Sequence, residues 1–155
     1  MKKERIIANE ETINILISNA KKTIADSECL LHDTELIRVE ICNNKLQGNY
    51  LQLVLELLSG SLLGICEVCS NLKDMLSSSN TYVKRYHMQM INLSQYEWCI
   101  YLGGKDQNGV LANLIHYLNE QHYNSLELKN VLEKVRQLGM NCNVRLRSMT
   151  AHYDE

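Results

Sequence analysis

The chain contains no proline in 155 residues and only seven glycines. Proline interrupts helices and central strands, so a chain without it can form long, uninterrupted helices. Apolar residues recur at intervals of three and four, the period of one helical face, and no stretch alternates as a half-buried strand does. These features predict an all-α protein, and the length suits a single domain covering residues 1–155.

The apolar pattern predicts an antiparallel helical bundle of about five helices. A short polar interval, "HDTE" at residues 32–35, is expected to separate the first helix from a shorter apolar segment, which Asp33 or Thr34 could cap. The last helix is expected to open at "NSLE" (124–127) and either pause at Gly139 or continue toward the C-terminus. The predicted helices cover about 9–31, 51–76, 82–102 and 110–121, and the last extends from its opening at 124–127 to Gly139.

The predicted helix at 51–76 carries the longest apolar stripe, about seven helical turns from Leu51 to Leu76. Gly60 and Gly64 lie one turn apart within it. Small residues at that spacing let another helix approach closely. We therefore expect this helix to lie in the core of the bundle.

The overall charge and the N-terminal sequence limit which ligands and which cellular compartment we expect for this protein. The formal net charge is −2, so there is no global attraction to nucleic acid or anionic membrane, and any phosphate-binding surface must be a local patch. The N-terminus lacks the features of a secretory signal, and no stretch approaches the roughly 20 apolar residues of a membrane helix. These observations predict a cytoplasmic protein without membrane contact, whose six cysteines are thiols.

Two clusters resemble sites of known chemistry at first inspection. "CEVC" gives Cys66 and Cys69 the C-x-x-C spacing of redox and zinc sites, but the other cysteines are scattered singly, and no βαβ context is predicted. We interpret both as small buried hydrophobic residues, and we expect neither a metal nor a cofactor. "KRYH" at 84–87 places two cations and a histidine on one turn, where they could contact phosphate; a solvated face is the favoured interpretation.

The C-terminal stretch "RLRSMTAHYDE" (145–155) is the one whose residue types match a specific reaction. Arginine offers a charged planar fork for phosphate oxygens, and histidine carries a proton near neutral pH. Together they suffice for RNA transesterification without a metal, with Ser148 and Tyr153 as supplementary hydrogen-bonding groups. In a regular helix Arg145 shares the face of His152, whereas Arg147 lies about 140° around the axis.

An all-helical domain with "RSMTAHYD" resembles the HEPN superfamily (higher eukaryotes and prokaryotes nucleotide-binding), in its Arg-x4-His-Tyr-Asp form. The resemblance implies a homodimeric helical bundle with metal-independent endoribonuclease activity, often within bacterial toxin–antitoxin, phage-defence or stress systems. It implies Arg147 and His152 as the catalytic pair, facing their copies across the dimer. Arg145, Ser148 and Tyr153 are the expected substrate-binding residues, RNA the expected substrate, and an antitoxin or regulatory protein an expected partner.

Two alternatives remain open from the residues. A non-catalytic helical module would act through its surface on another protein, with a solvated polar C-terminus. A DNA-binding regulator is less favoured, because no clearly basic recognition helix is present. The choice of working arginine is also open, since helical phase favours Arg145 and the family pattern favours Arg147.

Overall fold

The chain folds into an all-α bundle. The computed structural model describes residues 9–43, 48–104 and 108–151, and these residues form five α-helices and no strand. The predicted bundle of about five helices is therefore confirmed. The helices are α1 (Glu10–Asn43), α2 (Asn49–Ser77), α3 (Thr81–Gly103), α4 (Val110–Glu120) and α5 (Leu126–Ala151).

α2 and α3 are the central helices. α2 contacts α1, α3 and α4, and α3 contacts α2, α4 and α5, whereas α1 contacts α2 alone among the described parts of the chain. Leu111, Ile115 and Leu132 form a buried apolar cluster where α4 meets α5. The short α4 thus supplies two of the three buried side chains in that cluster.

The predicted break at "HDTE" is wrong. α1 runs without interruption for 34 residues, through all four of these positions. Thr34 is buried, and its hydroxyl donates to the carbonyl oxygen of Leu30 at 2.7 Å. A threonine that satisfies its hydroxyl one turn back stays within a helix and does not cap a new one. Thr34 also follows Ala20 and Ser27 at seven-residue intervals, and these three small residues are the buried ones of α1.

The predicted helix ends are largely confirmed. α2 ends at Ser77 and α3 begins at Thr81, where the Asn80 side chain accepts from the backbone N–H of Tyr82 at 2.8 Å. α3 ends at Gly103, and Gly104 follows with a φ of 70°, a left-handed conformation that favours glycine. At the start of α5 the Asn124 side chain accepts from the Leu126 N–H at 3.0 Å, one residue before the Glu127 that the predicted capping box pairs with it.

The glycines of α2 allow the close approach that the sequence predicts, and the partner is α3. A Cβ added to Gly64 would lie 2.6 Å from Cδ1 of Trp98, and one added to Gly60 would lie 2.6 Å from Cζ of Tyr101. Only a missing side chain leaves room for these aromatic rings against the α2 backbone.

α2 differs from its prediction in two respects. Leu58, an apolar residue within the stripe predicted from Leu51 to Leu76, is 46% exposed, while Ser59 beside it is buried. Because α2 contacts three helices, its buried surface is wider than one stripe. The segment Tyr50–Ser77 is also long and apolar enough by length and composition to cross a membrane, contrary to the sequence-based expectation. Only 11% of the window that meets this criterion is buried, so α2 is less buried than the core position predicted for it.

Candidate functional site

α3 and α5 pack side by side in opposite directions. A Cβ on Gly139 would lie 3.0 Å from Cβ of Cys99, and Sγ of Cys142 lies 3.6 Å from Oε1 of Gln95. From the first of these contacts to the second, α5 advances by three residues, from Gly139 to Cys142, while α3 goes back by four, from Cys99 to Gln95. This register brings the C-terminal turns of α5 level with the N-terminal half of α3, along a line of contact that we call the α3–α5 seam.

The structure places the predicted arginines on a helix. α5 continues past Gly139 to Ala151 and includes both Arg145 and Arg147. The predicted pause at Gly139 is therefore excluded. The Arg145 side chain is exposed. It lies near Cys142, where burial raises the pKa of the thiol and the Arg145 guanidinium opposes that shift.

The other predicted site residues are described in part or not at all. Ser148, like Arg147, lies within the helical backbone of α5, but the side chains of both lie outside the described residues, as do His152 and Tyr153 entirely. The predicted meeting of Arg147 with His152 therefore remains a prediction.

The α3–α5 seam is rich in cations at this end. Residues 81–96 of α3 and 134–151 of α5 contain no aspartate or glutamate. Lys84 and Arg85 are exposed on α3, as Arg145 is on α5. None of these three side chains forms a salt bridge with another described residue. The surface is thus locally positive although the chain as a whole is slightly acidic.

The histidine of "KRYH" is separated from its neighbouring cations. Nδ1 of His87 lies 3.0 Å from Oδ1 of Asn71 on α2, and the imidazole contacts the Tyr86 ring edge to face at 5.2 Å between centroids. His87 therefore links α3 to α2, while Lys84 and Arg85 point to solvent. The predicted solvated face is confirmed for the two cations only.

Cys99 and Cys142 are buried, whereas the two cysteines of "CEVC" are only half-buried and Cys29 and Cys42 are exposed. Cys66 and Cys69 are partly buried, and burial together with the neighbouring Cys66 raises the pKa of the Cys69 thiol. Burial and the nearby Cys142 raise the pKa of Cys99 to about 11. A raised pKa disfavours the thiolate that redox and metal chemistry require. No group of three or more potential metal ligands occurs among the described residues.

A groove of about 470 Å³ that the sequence did not predict opens between α1, α2 and α3. Four glutamates and one arginine line it, and they surround apolar and aromatic side chains. The Arg38 guanidinium lies 3.4 Å from the Ser59 hydroxyl and 3.6 Å from the Glu35 carboxylate. The charged lining residues are Glu35, Arg38, Glu56, Glu67 and Glu97.

The aromatic side of the groove is built by α3. The Tyr101 hydroxyl donates to the carbonyl oxygen of Glu56 at 2.9 Å, and burial, followed by the Glu56 carboxylate, raises the pKa of this phenol. Nε1 of Trp98 is buried without a hydrogen-bond partner among the described residues. The sequence held one signal for this site: Arg38 lies where the buried stripe of α1 calls for an apolar residue, seven positions after Leu31.

Comparison with known proteins adds no relative. No protein-family model matches the chain, and neither the curated proteins nor the solved structures include a significant match.

Proposed function

We propose that this protein is a HEPN-like helical domain that cleaves RNA without a metal, as part of a bacterial toxin–antitoxin, phage-defence or stress system. The continuity of α5 carries the proposal. This helix runs unbroken to Ala151 and includes Arg145 and Arg147, so both arginines stand on a rigid element at the end of the bundle. A polar tail after Gly139 would have favoured a non-catalytic protein.

The proposed reaction is a transesterification within the RNA strand. His152 removes the proton of a ribose 2′-hydroxyl, whose oxygen attacks the adjacent phosphorus, and the bond to the 5′-oxygen of the next nucleotide breaks. The products are a 2′,3′-cyclic phosphate and a free 5′-hydroxyl, which receives a proton. An arginine neutralises the charge that develops on the non-bridging phosphate oxygens.

Arg145 and Arg147 point in different directions from α5, so they would act in different ways. On α5 the two residues differ by about 200° around the axis, so they cannot face one phosphate within one chain. In the proposed cytoplasmic homodimer, Arg147 of each chain acts with His152 across the subunit boundary. If catalysis takes place within one chain, Arg145 is the arginine that shares the face of His152 in a continuing helix.

The decisive experiment measures cleavage of a labelled RNA in EDTA and identifies the new ends. We expect cyclic phosphate ends from the unmodified protein and no cleavage by His152→Ala with an unchanged circular dichroism spectrum. Arg147→Ala and Arg145→Ala, compared at equal concentration, identify the working arginine. Unchanged cleavage by His152→Ala would remove the assignment of the site. Light scattering tests the homodimer independently.

A second candidate function, a non-catalytic interaction module, is favoured by the groove between α1, α2 and α3. Leu63 lines this groove and is 59% exposed, an arrangement that suits an apolar partner surface. The surrounding glutamates favour a basic partner, so the occupant we infer is a basic amphipathic helix of another protein.

A synthetic helix of leucine and lysine tests this second function. Leu63→Ser is expected to weaken its binding at least tenfold, because a central apolar contact is lost. Leu30→Ser on α1, also an exposed leucine at 53%, is the matched control and should bind the peptide as the unmodified protein does. Equal binding by both variants would exclude the groove as the docking site.

A further inference from the structure

We propose that Lys84 of α3 and Arg145 of α5 form one strip that binds the phosphate backbone of single-stranded RNA and leads it along the α3–α5 seam. The choice of RNA rests on the proposed ribonuclease function. The strip itself rests on the packing of two described helices and on the charges that they carry.

The first step concerns the side of the seam on which each cation lies. Around the axis of α3, Lys84 lies about 60° behind Cys99. Around the axis of α5, Arg145 likewise lies about 60° behind Cys142. Cys99 and Cys142 are buried against the opposite helix of the seam. An antiparallel helix pair has a local twofold axis perpendicular to the plane of the two helices, so equal offsets fall on the same side. Lys84 and Arg145 therefore flank the seam together.

Arg85 occupies the opposite side. It lies about 40° ahead of Cys99 around α3, because one residue advances the helix by about 100°. Arg85 is also exposed and has the same charge as its neighbour Lys84. The chain thus provides a matched cation on the same turn of the same helix that points away from the strip.

The second step concerns the distance along the seam. Gln95 is level with Cys142, so Arg145, three residues further along α5, is level with about residue 92 of α3. Lys84 is eight residues before that level, or about 12 Å along the axis. Two long cationic side chains at this separation suit different phosphates of one extended strand and not a single phosphate group.

The third step concerns the charges around the strip. The first four turns of α3 and the second half of α5 contain no carboxylate. The nearest described carboxylate on α3 is Glu97, which lines the acidic groove on the far side of this helix with Glu67 of α2. A polyanion on the strip therefore meets two cations without facing the repulsion that the groove would present.

The strip also bears on the choice of arginine. In a regular helix His152 shares the face of Arg145, so an RNA strand held by Lys84 and Arg145 runs toward the side on which a continuing α5 would present His152. Lys84 becomes a positioning residue of the proposed ribonuclease, which is the phosphate contact that the sequence offered for "KRYH" as the less favoured interpretation.

Binding of a fluorescein-labelled U20 oligonucleotide tests the strip, measured by anisotropy in EDTA across a salt series. All proteins carry His152→Ala, which prevents cleavage during the titration. Each phosphate contact contributes roughly 0.7 to the slope of log affinity against log salt for a single strand. We expect Lys84→Gln and Arg145→Gln each to lower that slope by about 0.7 and the double variant by about 1.4.

Two control variants complete the experiment, Arg85→Gln on the same turn and Lys21→Gln on α1, which lies away from the seam. Both should retain the affinity and slope of the parent, and circular dichroism should show the same helix content throughout. Equal effects of Lys84→Gln and Arg85→Gln, or no binding by the parent, would overturn the strip. If the strip binds RNA but the unmodified protein never cleaves it, the proposed ribonuclease function fails while the strip stands. If the protein cleaves RNA and Lys84→Gln binds normally, only the strip fails.

Discussion

The close approach of α2 and α3 gives a prediction about Gly64. A methyl group at this position would lie 2.6 Å from Cδ1 and 2.8 Å from Cγ of Trp98, both shorter than any ordinary carbon contact. Cγ is the first ring atom of the side chain, so the indole cannot swing aside without a change of rotamer. Gly64→Ala must therefore move either the indole or the helix that carries it.

The expected magnitude combines two opposing effects. Replacing glycine by alanine within a helix stabilises it by about 1 kcal/mol. Overpacking a well-filled contact costs about 1–3 kcal/mol. The net change in the free energy of unfolding for Gly64→Ala is therefore expected to be destabilising by up to about 2 kcal/mol. In a Trp98→Ala background the clash is gone, so the same substitution should stabilise by about 1 kcal/mol.

The double-mutant cycle is measured by urea unfolding followed by circular dichroism, because Trp98 is the only tryptophan and its fluorescence is lost in two of the four proteins. We expect a coupling energy of about 1–3 kcal/mol between the two positions. A similar stabilisation by Gly64→Ala in both backgrounds would show that the indole does not pack on this glycine, and the described α2–α3 contact would be wrong.

Three further predictions concern packing and chemistry away from this contact. Iodoacetamide at pH 8 should modify exposed Cys29 quickly and buried Cys99 only after unfolding. Burial raises the pKa of Cys99 to about 11, so the stability that its neutral thiol contributes is present below the ordinary thiol pKa. That stability is lost as the pH rises toward 11, which unfolding measured as a function of pH can detect. Ser125→Ala should lower the free energy of unfolding by about 1–3 kcal/mol, because the buried hydroxyl donates to Asn119 Oδ1 at 2.6 Å; a change within error would contradict that contact. Asp33→Pro should cost about 3 kcal/mol if α1 is continuous, and a neutral effect would restore the break at "HDTE".

The sequence predicted the helices well because their ends carry strong local signals. The capping by Asn80 and the left-handed Gly104 after α3 depend on a few neighbouring residues, so pattern alone locates them. The break at "HDTE" failed for a different reason. A threonine favours a cap but can also bond its hydroxyl one turn back within a helix, and the burial of Thr34 decides that the helix continues.

The candidate site residues could be predicted from the sequence only where they lie together on one helix. Arg145 and Arg147 stand out because their residue type and spacing lie within one short stretch. Lys84 and the groove residue Arg38 gain their meaning from neighbours far away in sequence, through the α3–α5 register and the α1–α2 contact. Such pairings depend on which faces of the helices meet, and periodicity within one helix does not determine that.

The small net charge conceals an uneven distribution that separates the two candidate functions. The groove between α1, α2 and α3 carries four glutamates against one arginine, so it repels a phosphate backbone and attracts a basic helix. The α3–α5 seam carries exposed Lys84 and Arg145 in stretches without a carboxylate, so it has the opposite preference. Because the two surfaces lie on different sides of α3, the RNA and the basic partner helix that we propose would contact different residues. Lys84→Gln should therefore weaken RNA binding alone, and Leu63→Ser should weaken peptide binding alone.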